Sequence, residues 1–224
     1  QNHSFALDQR AQPCALHGNP LHEDLVDAVR IYLQGRNLFS IQTVLDRERR
    51  IYAAVTGNIE DSFYAAVRRA DEVFRVKANR KADVVVAVTI HPMDIDLYQS
   101  HKSLEHAKLV LKDGGILILV SKCRDGIGNR AFYDFLKSSG GPDKVLGRIK
   151  EYKLGIHKAA KIADILLHMQ IWTVTDLDDK VVSDIFMRPF HKVQDAIDDA
   201  LKVMGADAKI LFLMDANVSV PQLA

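Results

Sequence analysis

The hydrophobic and polar positions of the first third of the chain predict two helices around a hairpin. Apolar residues recur at helical spacing within 23–33, which indicates an amphipathic helix. The runs 38–46 and 50–57 are apolar or alternating, and the polar residues between them predict a turn. A helix is then predicted over 58–74, with Asn58 as its N-cap.

The pattern changes after the polar stretch 78–82, because strands then alternate with helices. The run 83–89 is continuously apolar, as in a strand that is covered on both faces. The predicted helix 96–111 and strand 115–121 follow it, and the crossover between the two strands should be right-handed. Further strands are predicted over 171–176 and 208–215, and helices over 131–139, 144–152, 156–169 and 191–205. This alternation is typical of an α/β fold, a layered parallel or mixed sheet with helices on both faces.

Composition excludes several classes of function. The 224 residues include 30 basic and 29 acidic side chains, and a net charge of +1 gives no electrostatic case for nucleic acid or anionic lipid. No apolar run approaches the roughly 20 residues that a membrane helix needs. The two cysteines, Cys14 and Cys123, are far apart, which fits a reducing compartment. We therefore predict a cytoplasmic protein without a nucleic-acid or membrane partner.

The start of helix 96–111 carries an unusually polar face. Tyr98, Gln99 and Lys102 project from one side of its first two turns. This end of the helix follows the carboxyl end of strand 83–89, which is where open α/β sheets bind ligands. A phenol, an amide and an ammonium together can hold an anionic, oxygen-rich group. The pattern alone favours a solvated polar helix face, with the Lys102 side chain in water, over such a binding site. The opposite stripe, predicted to pack on the sheet, is Leu97, Leu104, Ala107 and Leu111.

Other motifs are weaker. The loop 123–128, CRDGIG, lacks the third glycine of a dinucleotide-binding fingerprint. Asp113–Gly115 is most simply a helix stop followed by a tight turn. None of the nine histidines shows a metal-binding spacing, and the pair His157–Lys158 is either a cap neighbour or a site member. Trp172 is expected in the core. Residue types and spacing thus indicate an α/β protein with a polar pocket near Tyr98.

Longer stretches resemble one family. Residues 94–128, DIDLYQSHKSLEHAKLVLKDGGILILVSKCRDGIG, are similar to the C-terminal domain of the nickel-dependent lactate racemase family, in which DIxLYQxxKALExAxxxxDGGxIILVxxCxEGxG is a hallmark. Residues 154–166 resemble the family's GxHKA helix, and residues 17–29 resemble its GNPxHED segment. Residues 39–58 resemble the hairpin that follows that segment.

The resemblance implies a two-domain α/β enzyme. Such enzymes use a nickel-pincer cofactor, a pyridinium-3-thioamide-5-thiocarboxylate mononucleotide with nickel, that reversibly takes hydride from the α-carbon of a 2-hydroxy acid. Residues 1–77 are then expected to be the C-terminal remnant of the cofactor-binding domain. Residues 78–206 should form a complete second, Rossmann-like domain. Residues 207–224 are expected to supply a return strand to the first domain.

The resemblance also assigns residues. His3 matches the family's nickel ligand, and imidazole is a reasonable ligand for nickel. Tyr98, Gln99 and Lys102 match its substrate-binding residues, and Gln99 and Lys102 are the expected catalytic contribution of this chain. The tethering lysine and both catalytic histidines of the family are expected before Gln1, so the chain alone should be inactive.

Two questions stay open at this point. The family's Gly-Gly-Tyr-Pro run is replaced here by Thr89–Pro92, so the substrate is lactate or another 2-hydroxy acid. The expected partners are this small molecule and the N-terminal cofactor domain of the same protein. The alternative is a non-catalytic α/β ligand-binding or interaction module that retains the fold. A dinucleotide-dependent dehydrogenase would need a complete glycine-rich turn, which this chain lacks.

Overall fold

The structure is a computed structural model that describes Phe5 and residues 8–149 and 155–224. The chain divides between Val76 and Lys77 into two compact units, whereas the sequence prediction places this boundary after residue 77. Within the described ranges, no helix has both the length and the apolar character that crossing a membrane requires.

The first unit contains a hairpin and two helices. Its elements are α1 (Pro20–Leu33), β1 (Ser40–Leu45), β2 (Ile51–Gly57) and α2 (Ile59–Phe74). The two strands pair antiparallel, with Ser40 opposite Gly57, so the predicted hairpin is confirmed. Asn58 caps α2 as predicted, because its side-chain oxygen accepts a hydrogen bond from the Asp61 amide at 2.9 Å.

The second unit is an α/β layer structure built on a five-stranded parallel sheet, which confirms the predicted fold class. The sheet order is β7-β6-β5-β4-β8. After β3 (Arg75–Ala78), the elements are β4 (Ala82–Val88), α3 (Leu97–Ala107), β5 (Leu111–Val120), α4 (Arg130–Lys137), α5 (Pro142–Gly147), α6 (Ile156–His168), β6 (Gln170–Val174), α7 (Asp179–Ser183), β7 (Arg188–Phe190), α8 (Val193–Met204), β8 (Ile210–Leu213) and β9 (Val220–Leu223).

The core of this unit lies on both faces of the central strands β4 and β5. Val84 and Val86 pack with Trp172 in a cluster that α8 covers, and Trp172 is therefore a core residue as predicted. Val85 and Leu117 are also fully buried, and α3 and α6 pack against these strands. A continuously apolar strand is explained by this double cover, because successive side chains point to opposite faces. Burying each such side chain contributes about 1.5–3 kcal/mol.

The predicted helix stop at Asp113–Gly115 is wrong. α3 ends at Ala107, a short 3-10 turn follows over Lys108–Val110, and residues 111–115 already belong to β5. Leu111 pairs with Ala82, whereas Ile116 pairs with Val84, so β5 carries an irregularity between these pairs. Gly114 adopts a positive φ of 75° inside it. Gly114 and Gly115 are therefore part of a strand with a bulge, because pairing with β4 outweighs the preference of glycine for turns.

The end of the chain begins with a strand of the five-stranded sheet, and the return strand to the first domain that is expected over 207–224 stays a prediction. Its apolar segment β8 pairs in parallel with β4, with Ile210 opposite Val84, and lies in the same unit as the sheet. The Ala216 amide then donates to the Val88 carbonyl at 2.8 Å. β8 thus forms backbone hydrogen bonds with the second edge of β4, whose N–H and C=O groups would otherwise lack partners.

Candidate functional site

The first turn of α3 begins at Asp96, just beyond the carboxyl end of β4. The Asp96 side chain accepts a hydrogen bond from the Gln99 amide at 2.6 Å and so caps the helix. The Ser100 hydroxyl donates to the Asp96 carbonyl at 2.8 Å. The predicted apolar stripe is confirmed for Leu97, Leu104 and Ala107, which are buried, whereas Leu111 is a buried residue of β5 and not of the helix. The opposite side of the first two turns is therefore presented at the ligand-binding edge of the sheet.

Tyr98, Gln99 and Lys102 lie together on these two turns. Tyr98 and Gln99 are partly buried, and Lys102 is exposed. The Tyr98 ring packs edge-on against Phe132 of α4, with ring centroids 5.8 Å apart. No carboxylate of the described residues lies within ion-pair distance of the Lys102 ammonium. This face thus offers a phenol, an amide and an ammonium, and no acidic side chain of the described ranges pairs with that ammonium.

The loop 123–128 is joined to the start of α3 by backbone hydrogen bonds. The Leu97 amide donates to the Gly126 carbonyl and the Tyr98 amide to the Ile127 carbonyl, both at 3.1 Å. In return, the Cys123 amide donates to the Asp94 carbonyl at 2.7 Å. The first amides of a helix have no acceptor within the helix, and here two carbonyls of the loop accept hydrogen bonds from two of these amides. The glycine loop is therefore a rim of the polar face.

The segment that departs from the family pattern, Thr89–Pro92, lies beside the same helix. The Thr89 hydroxyl is 2.7 Å from the Ser103 hydroxyl of α3. The Arg124 guanidinium donates to the Asp94 carboxylate at 2.8 Å and lies 3.2 Å from His91 Nδ1. Arg124 therefore connects the glycine loop to the turn between β4 and α3.

Lys158 of α6 also contributes to this site. Its ammonium donates to the Tyr98 carbonyl at 2.6 Å and lies 3.6 Å from the centroid of the Tyr98 ring. Burial lowers its pKa to about 8, and the nearby Lys102 ammonium lowers it too, whereas Asp96 acts in the opposite direction. The pair His157–Lys158 is predicted as either a cap neighbour or a site member, and the contact of Lys158 with Tyr98 favours the site member.

Metal ligation is a separate question. Within the part of the chain that the structure describes, no three His, Cys, Asp or Glu side chains gather into a possible metal site. His3, the predicted nickel ligand, lies outside the described residues. Cys123 is buried, and burial raises the pKa of its thiol, which disfavours the thiolate that binds metals. The described residues therefore fit an anion better than a metal ion.

Comparison with known sequences gives consistent matches. The family described as "Lactate racemase C-terminal domain" matches residues 76–220. A lactate racemase from Thermoanaerobacterium thermosaccharolyticum is 30% identical over an alignment that covers 94% of this chain and 50% of that protein. A lactate racemase from Lactiplantibacillus plantarum is 28% identical, over 96% of this chain and 52% of that protein. The chain thus spans about half the length of these relatives.

Solved structures match as well. The structure of the lactate racemase apoprotein from Thermoanaerobacterium thermosaccharolyticum superimposes with a TM-score of 0.90 and 27% identity, over 99% of this chain and 54% of that one. A protein from Thermotoga maritima matches with a TM-score of 0.63 at 14% identity, which shows a shared fold.

Proposed function

We propose a function from the premise that this chain belongs to the lactate racemase family, of which it represents the C-terminal portion. The proposed function is that of the C-terminal half of a racemase or epimerase that inverts the α-carbon of a 2-hydroxy acid. One observation supports it most: Tyr98, Gln99 and Lys102 lie together on the first two turns of α3, at the carboxyl edge of a parallel sheet.

The residue types of this face suit a 2-hydroxy acid. The Lys102 ammonium would bind the carboxylate, because no described acidic side chain competes for it. The Gln99 amide and the Tyr98 hydroxyl can each donate and accept, so they can orient the carboxylate and the substrate hydroxyl. Lys102 and Gln99 are the groups that we propose to touch the reacting part of the substrate, where a fixed positive charge stabilises developing negative charge.

The proposed cofactor is the nickel-pincer mononucleotide, which supplies a hydride acceptor when it is bound. For this chain we propose one ligand to it, His3, on the basis of the family resemblance. The tethering lysine and both bases would come from the N-terminal cofactor domain of the same protein. On this proposal, the chain alone binds substrate poorly and does not racemise it.

We also propose a cytoplasmic location. Both cysteines are free: Cys14 is exposed and Cys123 is buried. An exposed free thiol is more typical of a reducing compartment than of a secreted protein.

The function is tested with the full-length protein loaded with nickel cofactor. It is incubated with single enantiomers of lactate, malate and larger 2-hydroxy acids, and enantiomeric composition is followed by chiral chromatography. We expect at least one acid to lose its enantiomeric purity, and a deuterium on its α-carbon to remain in the product. Binding of these acids without racemisation by nickel-loaded protein would contradict the proposal and favour the non-catalytic module. Loss of the deuterium to water would contradict hydride transfer.

A further inference from the structure

Lys158 occupies an unusual position for a lysine. Its side chain is partly buried, and its ammonium contacts Tyr98 twice, through the backbone carbonyl at 2.6 Å and through the ring at 3.6 Å. Among the described residues, no carboxylate lies within ion-pair distance of this ammonium. A charge that is withdrawn from water without a counter-ion is costly, so an ordinary structural lysine would not be expected here.

Lys161, three residues further along α6, shows the ordinary arrangement. Its ammonium lies 3.1 Å from the buried carboxylate of Glu105, which also accepts from Lys108 at 3.2 Å. The two lysines share one helix and both reach α3, but only Lys161 neutralises an acid there. Lys161 therefore forms an ion pair with a buried acid, whereas Lys158 is a cation that contacts the polar face through Tyr98.

We propose that Lys158 is a positioning residue of the substrate site: its ammonium fixes Tyr98 and adds a second positive charge beside Lys102, so that the face binds a carboxylate. This inference rests on the proposed function and deepens it. The Tyr98 ring contacts both the Lys158 ammonium and the ring of Phe132, and these two contacts restrict the direction of its hydroxyl. A cation over an aromatic ring is attracted to it most strongly when both are desolvated.

The second charge depends on pH. The ionisable groups that interact with the Lys158 ammonium are Asp96, which caps α3, and Lys102 and His101 of α3. Burial lowers the pKa of His101, and the Lys158 ammonium lowers it further. The ring of Tyr98 faces the Lys158 ammonium, and His157 precedes Lys158 on its own helix. Because the pKa of Lys158 is about 8, the site carries its second charge below that pH and loses it as pH rises through it. Affinity for a carboxylate should fall over the same range.

The test compares Lys158→Met with Lys161→Met in the full-length nickel-loaded protein. With lactate, or the best substrate of the panel, Lys158→Met should raise KM about tenfold or more, as expected for the loss of a charged hydrogen-bonding group. It should also abolish the rise of KM above pH 8, and the midpoint of thermal unfolding should stay level or increase.

The control, Lys161→Met, should lower the midpoint of thermal unfolding, because it removes a partner of Glu105, and it should leave KM unchanged. An unchanged KM in Lys158→Met, or a reduced midpoint with normal pH dependence, would overturn the proposal.

A second readout does not depend on turnover. Lysine labelled with ¹³C at Cε reports the titration of Lys158, whose signal is the one missing from Lys158→Met. We expect a midpoint near 8 that moves upward on addition of L-lactate, because a bound carboxylate stabilises the ammonium. An unshifted midpoint in a protein that racemises lactate would reject the role of Lys158 and leave the function intact. If lactate shifts the titration midpoint of Lys158 but the protein racemises no acid, the proposed racemase function is rejected and Lys158 remains part of an anion-binding site.

Discussion

The Asp96 carboxylate occupies the space in which a side chain at residue 128 would have to begin. A β-carbon on Gly128 would lie 2.5 Å from Asp96 Oδ2 and 2.7 Å from Oδ1. The same carboxylate caps α3 through the Gln99 amide. Gly128 also has a φ of 83°, which L-residues rarely adopt. The glycine loop and the polar helix start are therefore parts of one structure, in which the loop leaves room for the cap.

Replacing Gly128 should damage the site as well as the fold. We expect Gly128→Ala to lower the free energy of unfolding by about 1–2 kcal/mol through the left-handed backbone, and by about 1 kcal/mol more through displacement of the cap. The matched control is Gly126→Ala, because Gly126 has a φ of 82° and open space around its α-carbon. Urea unfolding and KM measure both effects. Equal losses in the two variants, with equal KM, would show that Asp96 is not displaced.

Removing the charge of Asp96 should change the ionisation of Lys158. The carboxylate attracts the ammonium and raises its pKa, so Asp96→Asn should move the Lys158 titration below about 8. Asparagine still caps a helix, so α3 should stay intact. NMR titration of ¹³Cε-labelled lysine measures the shift. Asp125→Asn, at an exposed position of the glycine loop, serves as the control and should leave the midpoint in place. A midpoint that is equal in all three proteins would show that Asp96 and Lys158 are not coupled.

The end of the chain should be essential to the second unit. A fragment of residues 77–224 retains β8 beside β4, and we expect it to unfold in one cooperative transition. A fragment of residues 77–206 loses β8 and leaves Val84–Ala87 at an open edge, so it should lose cooperativity or aggregate. Circular dichroism during thermal unfolding compares the two. Equally sharp transitions would mean that β8 is not an integral strand of this sheet.

Nickel content should depend on His3. We expect His3→Ala to lower the nickel bound to the purified full-length protein, measured by atomic emission. His17→Ala is the control, because His17 is exposed in the first unit and should not affect the metal. Full nickel occupancy in His3→Ala would remove this histidine from the proposed ligands.

Elements that bury a continuous apolar surface could be predicted from the sequence. The run of β4 is apolar because α8 covers one of its faces and other helices the other, and the stripe of α3 follows from its contact with the sheet. The turn predicted at Asp113–Gly115 follows from the residue types of these positions alone. Their place in β5 depends on the pairing of Leu111 with Ala82, a residue distant in the sequence, which local residue types do not show.

The candidate site was only partly predictable for the same reason. Tyr98, Gln99 and Lys102 occur within five positions of one another, so helical spacing alone places them on one side. The contact between the Lys158 ammonium and the Tyr98 carbonyl joins residues 60 positions apart, and no local pattern encodes it. The resemblance to a family motif marked the helix that carries Lys158, but only the fold shows which atoms it meets.

The central claim is that the polar face of α3 binds the substrate, and Lys102→Met tests it most directly. The control is Lys112→Met, because Lys112 lies at the start of β5 and pairs with Asp83 at 2.7 Å. In the full-length nickel-loaded protein, we expect kcat/KM for racemisation to fall at least about tenfold in Lys102→Met and to stay unchanged in Lys112→Met, with equal nickel contents. A normal kcat/KM in Lys102→Met would contradict the account, because the substrate would then bind elsewhere.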